Sequence, residues 1–306
     1  MRSSAANTKG GLLIFDLIQA GDRTWYVDSP VKTGVWLDGE GGAYLIDSGG
    51  DKDAGKKLRR LLEARGWPLR AVVNTHSHAD HIGGNAHLQQ QTQCAVFASP
   101  LEAAFIRHPV LEPSLLYGAS PLPGLRGKFL MAQPSCVTAL PDAAFPEALT
   151  VVPLPGHSPE MIGVRTPDDV LFVGDSVSSA ETLQKYGIGY VYDVAACLRT
   201  LDALEGMEAR LFVPAHAEAT ADIAPLCRLN REAMLALCDA IVALLAEPMG
   251  FDALLTALFR RYQLTMTLQQ HALLGAALHA YLTYLTEEKR VQPIIDDSRL
   301  LWEVCP

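Results

Sequence analysis

Three histidines and an aspartate fall within six consecutive positions, His76-Ser77-His78-Ala79-Asp80-His81. In extended chain alternate side chains point the same way, so His76 and His78 share one side. Asp80 and His81 fall where the chain begins a helix, facing across the same hole. A divalent metal takes imidazole nitrogens at about 2.0–2.1 Å and carboxylate oxygens at similar range. One short segment cannot close such a shell, so ligands from elsewhere in the chain are required.

Each remote ligand is expected just past a strand. His157 follows Val151-Val152-Pro153-Leu154-Pro155-Gly156, Asp175 follows Leu171-Phe172-Val173-Gly174, and His216 follows Leu211-Phe212-Val213-Pro214-Ala215. Alone, each reads as an ordinary turn residue. Together they repeat one arrangement, strand and then ligand, and that repetition is the signal.

With these residues in place the chain resembles the metallo-β-lactamase superfamily, and within it the glyoxalase II-like hydrolases. The family's motifs, His-x-His-x-Asp-His, a later Gly-His, a Gly-Asp and a final His, stand here in order over roughly residues 12–220. The resemblance implies an α/β (α+β) fold, an αββα sandwich with metals at one sheet edge. It implies that His76, His78 and His157 hold one ion, that Asp80, His81 and His216 hold a second, and that Asp175 bridges them. Two such ions about 3.5–4 Å apart share one water and lower its pKa toward neutrality. The implied reaction is attack of that hydroxide on an ester, thioester, lactone or similar small substrate, with the second metal or a protonated Asp80 stabilising the leaving group. Zinc suits this donor set first, and iron and manganese bind comparable sets. Asp47, in Ala43-Tyr44-Leu45-Ile46-Asp47-Ser48-Gly49, matches a family aspartate that supports a metal-binding histidine.

Departures from the family pattern narrow this. An aspartate, not a cysteine, stands at 175, which disfavours one β-lactamase branch, and a bridging aspartate is foreign to the other. Asp175 and His216 are too close in sequence for the insert of the nucleic-acid-processing branch. Glu160 replaces a usual glycine and is expected as a solvated turn residue, with the pocket border as the alternative. Two other functions stay open: a mononuclear iron dioxygenase that oxidises sulfur, and a regulator whose tail binds nucleic acid. Substrate-binding residues carry no readable motif. Tyr186, Tyr190 and Tyr192 could reach the site, though ordinary packing is the simpler expectation. His87, His108, His271 and His279 have no companions and read as structural or exposed.

The elements that must position the cluster alternate between strand and helix up to about residue 220. Strands are expected at Trp25–Val27, Gly34–Leu37, Ala43–Ile46, Leu69–Asn74, Cys94–Ala98, Leu149–Val152, Ile162–Val164, Val170–Val173 and Leu211–Val213. Helices are expected at Lys52–Arg65, Ile82–Gln91, Leu101–Arg107 and Val194–Leu204. Five prolines between 109 and 134 leave most of 100–146 as a loop that could cover a site. The pattern then turns helical, over Ala221–Leu245, Phe251–Tyr262 and Leu268–Thr286, and ends in a short hairpin resembling a winged-helix module. Two domains are expected, a catalytic 1–220 and a helical 221–306. The tail offers a dimerisation surface or a wall of the substrate pocket.

The chain has 306 residues and is 49% hydrophobic, ample for a core, with a net charge of −9. That acidic balance argues against a nucleic-acid partner, and Arg260, Arg261, Lys289 and Arg290 are offset by Asp252, Glu287, Glu288, Asp296 and Asp297. Six scattered cysteines form no CxxC pair and are expected as reduced, mostly buried thiols. The only early apolar run, Leu12-Leu13-Ile14-Phe15, is too short for a signal peptide or membrane span. A cytoplasmic location and a small-molecule substrate are expected.

Overall fold

A computed structural model describes residues 15–306, so the run Leu12–Ile14 lies outside the described residues. One sheet contains, in spatial order, β1 (Asp16–Gln19), β2 (Thr24–Asp28), β3 (Thr33–Leu37), β4 (Ala43–Ile46), β5 (Leu69–Val73), β6 (Ala95–Ala98) and β7 (Thr138–Ala139). Its first four strands are antiparallel neighbours, and β4 to β7 run parallel. The second sheet runs β11-β10-β9-β8, from β8 (Thr150–Pro153), β9 (Ile162–Arg165), β10 (Val170–Ser178) and β11 (Leu211–His216).

Alternation along the strands builds three apolar layers. Tyr26, Trp36, Ile46, Val73 and Phe97 of the first sheet meet Ile162, Val164, Phe172 and Val213 of the second. The opposite face of the first sheet (Val27, Val35, Leu45, Val72, Val96) packs against α1 (Lys52–Glu63), α3 (Asn85–Thr92) and α4 (Pro100–Arg107). The outer face of the second sheet packs against α7 (Val194–Glu205) and α8 (Ala224–Leu244). The result is the expected αββα sandwich, with each buried aliphatic or aromatic side chain contributing ~1.5–3 kcal/mol.

Some local expectations change. The single helix after the histidine cluster is two, α2 (Ala79–Ile82) and α3, because the chain breaks at Gly83-Gly84. The segment 100–146 is more regular than its prolines imply. It contains α4, α5 (Leu111–Tyr117) and a turn at Pro123–Leu125. Pro113 lies in the first turn of α5, where a missing N–H costs nothing. Asp175 is not past its strand but inside β10. The pairing of β10 with β11 slips on both sides of Gly174, whose φ is +52°, and this bulge aims Asp175 at the sheet edge.

The chain continues through α6 (Ala180–Tyr186), between β10 and α7, and ends with α8, α9 (Phe251–Arg261), α10 (Leu268–Glu287) and the hairpin of β12 (Val291–Asp296) and β13 (Arg299–Val304). These closing helices share a core with the sandwich. Ile188, Val191 and Val194 are buried with Leu237, Ile241, Leu258, Leu278 and Leu282. Cys94, Cys227 and Cys238 are buried, Cys136 is exposed, and all six cysteines are free. Among the described residues no helix is long and apolar enough to cross a membrane.

Candidate metal centre

The strand ends bring all seven sequence-nominated ligands to one edge of the sandwich. Nδ1 of His78 lies 3.1 Å from Nε2 of His76 and 3.0 Å from Nε2 of His157. Asp175 Oδ1 lies 3.1 Å from His81 Nε2, and His216 Nε2 lies 3.6 Å from Asp80 Oδ2. Asp175 Oδ2 stands between the two groups, 3.4 Å from His157 Nε2 and 3.3 Å from His216 Nε2. Metal bonds of about 2.0–2.1 Å at tetrahedral angles would set neighbouring ligand atoms about 3.3 Å apart. The groups His76/His78/His157, His76/His81/Asp175 and Asp80/His81/His216 each converge closely enough to hold an ion. His81 Nε2 and Asp175 Oδ1 are also buried and, although 3.1 Å apart, make no aligned hydrogen bond to each other or to any other group. Buried polar atoms left in that state need a missing partner, and a cation supplies one. The residues fit a metal.

Around the ligands, hydrogen bonds fix which nitrogen faces inward. Asp47, itself in the left-handed region at φ +64°, accepts from His81 Nδ1 (2.8 Å), Thr75 N (2.8 Å) and Thr75 Oγ1 (2.8 Å). Because Thr75 gives its proton to Asp47, its oxygen is free to accept from His76 Nδ1 at 3.0 Å. One carboxylate thus orients His81 directly and His76 through Thr75. His216 donates Nδ1–H to the Pro30 carbonyl at 3.2 Å. Thr75 carried no signal in the sequence beyond its place between a buried strand and His76.

Glu102 was also missed. It is fully buried, and its carboxylate accepts from Ser77 N (2.9 Å), Ser158 Oγ (2.7 Å) and Glu160 N (3.0 Å). It therefore ties the loop of His76 and His78 to the loop of His157. Glu160 is a partly exposed turn residue, as expected, and does not line the cavity, but its carboxylate is engaged. Its Oε2 accepts from Leu101 N (2.7 Å), satisfying a free N–H in the first turn of α4.

Beside the ligands opens a cavity of about 300 Å³, lined by His78, Asp80, Glu112, Phe129, Leu130, Tyr190 and Leu273, with Lys128 also on its wall. Of the three tyrosines considered from sequence, Tyr190 packs edge-on against His78 (5.2 Å between ring centres) and His157 (5.8 Å). Tyr186 and Tyr192 are largely exposed. Burial, with Glu112 and Glu102 nearby, holds the Tyr190 phenol protonated well above its ordinary range. Burial, with Glu102 and Asp80 adding repulsion, pushes Glu112 up to about 8.

Charge divides the metal-free ligands into two kinds. Burial, together with the neighbouring imidazoles, pulls His76 well below its ordinary value. Burial brings His157 down to about 4 against the pull of Asp175. Asp175 lifts His216 to about 10. Burial lowers His81, but Asp175, Asp47 and Asp80 outweigh it and hold that imidazole well above the usual value. Burial raises Asp80, yet His81 and His216 bring it to about 2, so it is ionised at neutral pH. An ionised Asp80 accepts a proton and does not donate one. His81 and His216 must therefore release protons to take an ion, whereas Asp80, His76, His78 and His157 need not. Loading metal-free protein at pH 7 is expected to release about one proton more per chain than loading His216→Ala, in addition to any proton lost by metal-bound water. Calorimetry in buffers of different ionisation enthalpy measures this. Equal release by both proteins would rule out this division of charge.

Similarity to known proteins agrees with the geometry. The model of the metallo-beta-lactamase superfamily matches residues 33–216. A hydroxyacylglutathione hydrolase from Methylobacillus flagellatus is 32% identical over 147 residues, 48% of each chain. Another from Thiobacillus denitrificans is 31% identical over 153 residues, covering 49% of this chain and 48% of the relative. The matches thus span about half the length of these curated relatives. Among solved structures, a metallo-beta-lactamase family protein from Thermus thermophilus has a TM-score of 0.70 at 20% identity, covering 92% of this chain and 98% of that one. A beta-lactamase domain protein from Burkholderia ambifaria has a TM-score of 0.70 at 21% identity, covering 95% and 94%. At those identities the structures speak to the fold. The family match spans well over half of the described chain and contains every ligand position, and this chain belongs to the metallo-beta-lactamase superfamily.

Proposed function

We propose that the protein is a dinuclear, zinc-dependent hydrolase of small esters, thioesters or lactones. The observation that carries this is the placement of Asp175 Oδ2, 3.4 Å from a ligand nitrogen of one group and 3.3 Å from one of the other. A carboxylate in that position would be placed to hold both ions of a pair. When bound, such a pair supplies Lewis acidity and a hydroxide nucleophile at neutral pH. The protein's own groups orient the substrate and move protons. Ionised Asp80 faces the cavity and can accept a proton. The Tyr190 phenol lies on the same wall, where it can donate a hydrogen bond to a carbonyl oxygen.

The cavity wall favours a substrate with an apolar substituent. Phe129, Leu130 and Leu273 present apolar side chains to it, beside the polar His78, Asp80, Glu112, Lys128 and Tyr190. Leu273 belongs to α10, so the helical C-terminal region builds part of the pocket; this supports a wall for that region over a nucleic-acid reader. Elemental analysis with a panel of ester, thioester and lactone substrates tests the reading. About two zinc ions per chain and hydrolysis lost on chelation are expected. A single iron with oxygen consumption would overturn it. Leu273→Glu should lower kcat/KM for apolar-tailed substrates about tenfold or more and leave metal content unchanged, since it places a charge against the tail. Equal losses for short and long tails would remove Leu273 from substrate recognition.

A further inference from the structure

A metal-binding imidazole uses one nitrogen for the ion, and the partner of its other N–H sets the tautomer and the tilt of the ring. His76 has Thr75 in that role, His81 has Asp47, and His216 has the Pro30 carbonyl. His78 is turned the other way. Its Nδ1 faces His76 and His157, and its Nε2 points outward to Glu112 Oε1 at 3.5 Å.

Glu112 is buried, with 7% of its surface exposed, and lies on α5 in the segment that carried no sequence motif. Burying a carboxyl is costly unless it is paired. Among the described residues its carboxyl makes no hydrogen bond, and His78 is the one imidazole within ion-pair distance. Its position is not left to a mobile loop. Leu116 of the same helix is buried with Leu125, Leu130 and Ala272, so α10 presses α5 onto the site. At 3.5 Å the two groups are within ion-pair distance but longer than an ordinary hydrogen bond.

We propose that Glu112 is the positioning residue of His78, accepting its Nε2–H and so holding Nδ1 toward His76 and His157 on the first metal. Its role differs from that of Glu102 on the neighbouring helix. Glu102 fixes the distance between two ligand loops through three hydrogen bonds, whereas Glu112 fixes the tilt of one ring. The proposal rests on reading His76, His78 and His157 as one ligand set.

The test is zinc binding to the metal-free full chain, measured in competition with a chromophoric chelator. In Glu112→Met one of the two binding steps should weaken 10–100-fold while the other stays within about threefold. The metal-free variant should melt at the wild-type temperature or above it, because an apolar side chain replaces a buried acid. Glu112→Gln keeps an acceptor oxygen and should recover most of the affinity. In His157→Ala, which already lacks that site, adding Glu112→Met should change nothing further. Should Glu112→Met fail to fold, Glu112→Ala takes its place, since the position already borders the cavity. Wild-type affinity at both steps in Glu112→Met would overturn the role of Glu112. A wild-type chain that binds no zinc would overturn the ligand set itself, and the two failures are distinguishable.

Discussion

Asp175→Ala is expected to cut turnover by roughly 10³-fold and to lower the metal content from about two ions per chain to about one. The carboxylate is nearly buried and has one oxygen on His81 and the other between His157 and His216. No neighbouring side chain can replace it. Asp80 reaches only the Asp80/His81/His216 group, and Asp47 is already committed to His81 and Thr75. Without Asp175 that group keeps a single carboxylate, which is why its ion should be the one lost. Retention of two ions, with turnover within about tenfold of wild type, would show that Asp175 does not bridge.

The same substitution has a signature in the metal-free protein. Asp175 is the main cause of the raised pKa of His216, at about 10. A group whose folded pKa lies above its unfolded value stabilises the fold fully below the unfolded value, near 6.5, and loses that contribution as pH rises through the folded value. The deficit of Asp175→Ala relative to wild type should therefore be largest near pH 6 and shrink toward pH 10. Thermal melts of chelated protein across that range measure it. A deficit that grows with pH would place the proton elsewhere.

The parts of the centre legible in the sequence are those with local spacing. His76, His78, Asp80 and His81 announce themselves within six positions, and His157, Asp175 and His216 each follow an apolar run. Asp47 was legible because it ends a strand in a recognisable setting. Glu102 and Glu112 had no such frame. Each is a single acid among prolines, and what buries it is remote: the loops of Ser77 and Ser158 for one, α10 for the other. The elements followed the same division. Periodicity marked α7, α8 and α10 closely, whereas α5 was hidden by Pro113 and the length of β10 by the Gly174 bulge. Short-range pattern reports what a segment can be. It does not report which distant surface will cover it.

Gly83→Ala should destabilise the protein by about 3 kcal/mol or more and remove metal with it, although propensity alone points the other way. Gly83 ends α2 with φ −60°, where alanine is conformationally at ease and would add up to about 1 kcal/mol of helix stability. Space decides the sign. A Cβ there would lie 2.3 Å from the Gly50 carbonyl carbon, 2.4 Å from its oxygen and 2.5 Å from Asp51 N. These are backbone atoms and cannot rotate aside. The turn after β4 crosses the junction of α2 and α3 in direct contact, held by Ser48 N–H donating to His81 O at 2.8 Å and Gly84 N–H donating to Ser48 Oγ at 3.2 Å. Forcing that crossing apart moves Asp47 on one side and Asp80 with His81 on the other, so the loss of stability and the loss of the second ion share one cause. Gly127→Ala is the control, because a Cβ there meets nothing within 4 Å. Melting curves and metal content of the two variants should diverge sharply. A Gly83→Ala protein that melts like Gly127→Ala and keeps both ions would mean the turn yields without disturbing its ligands.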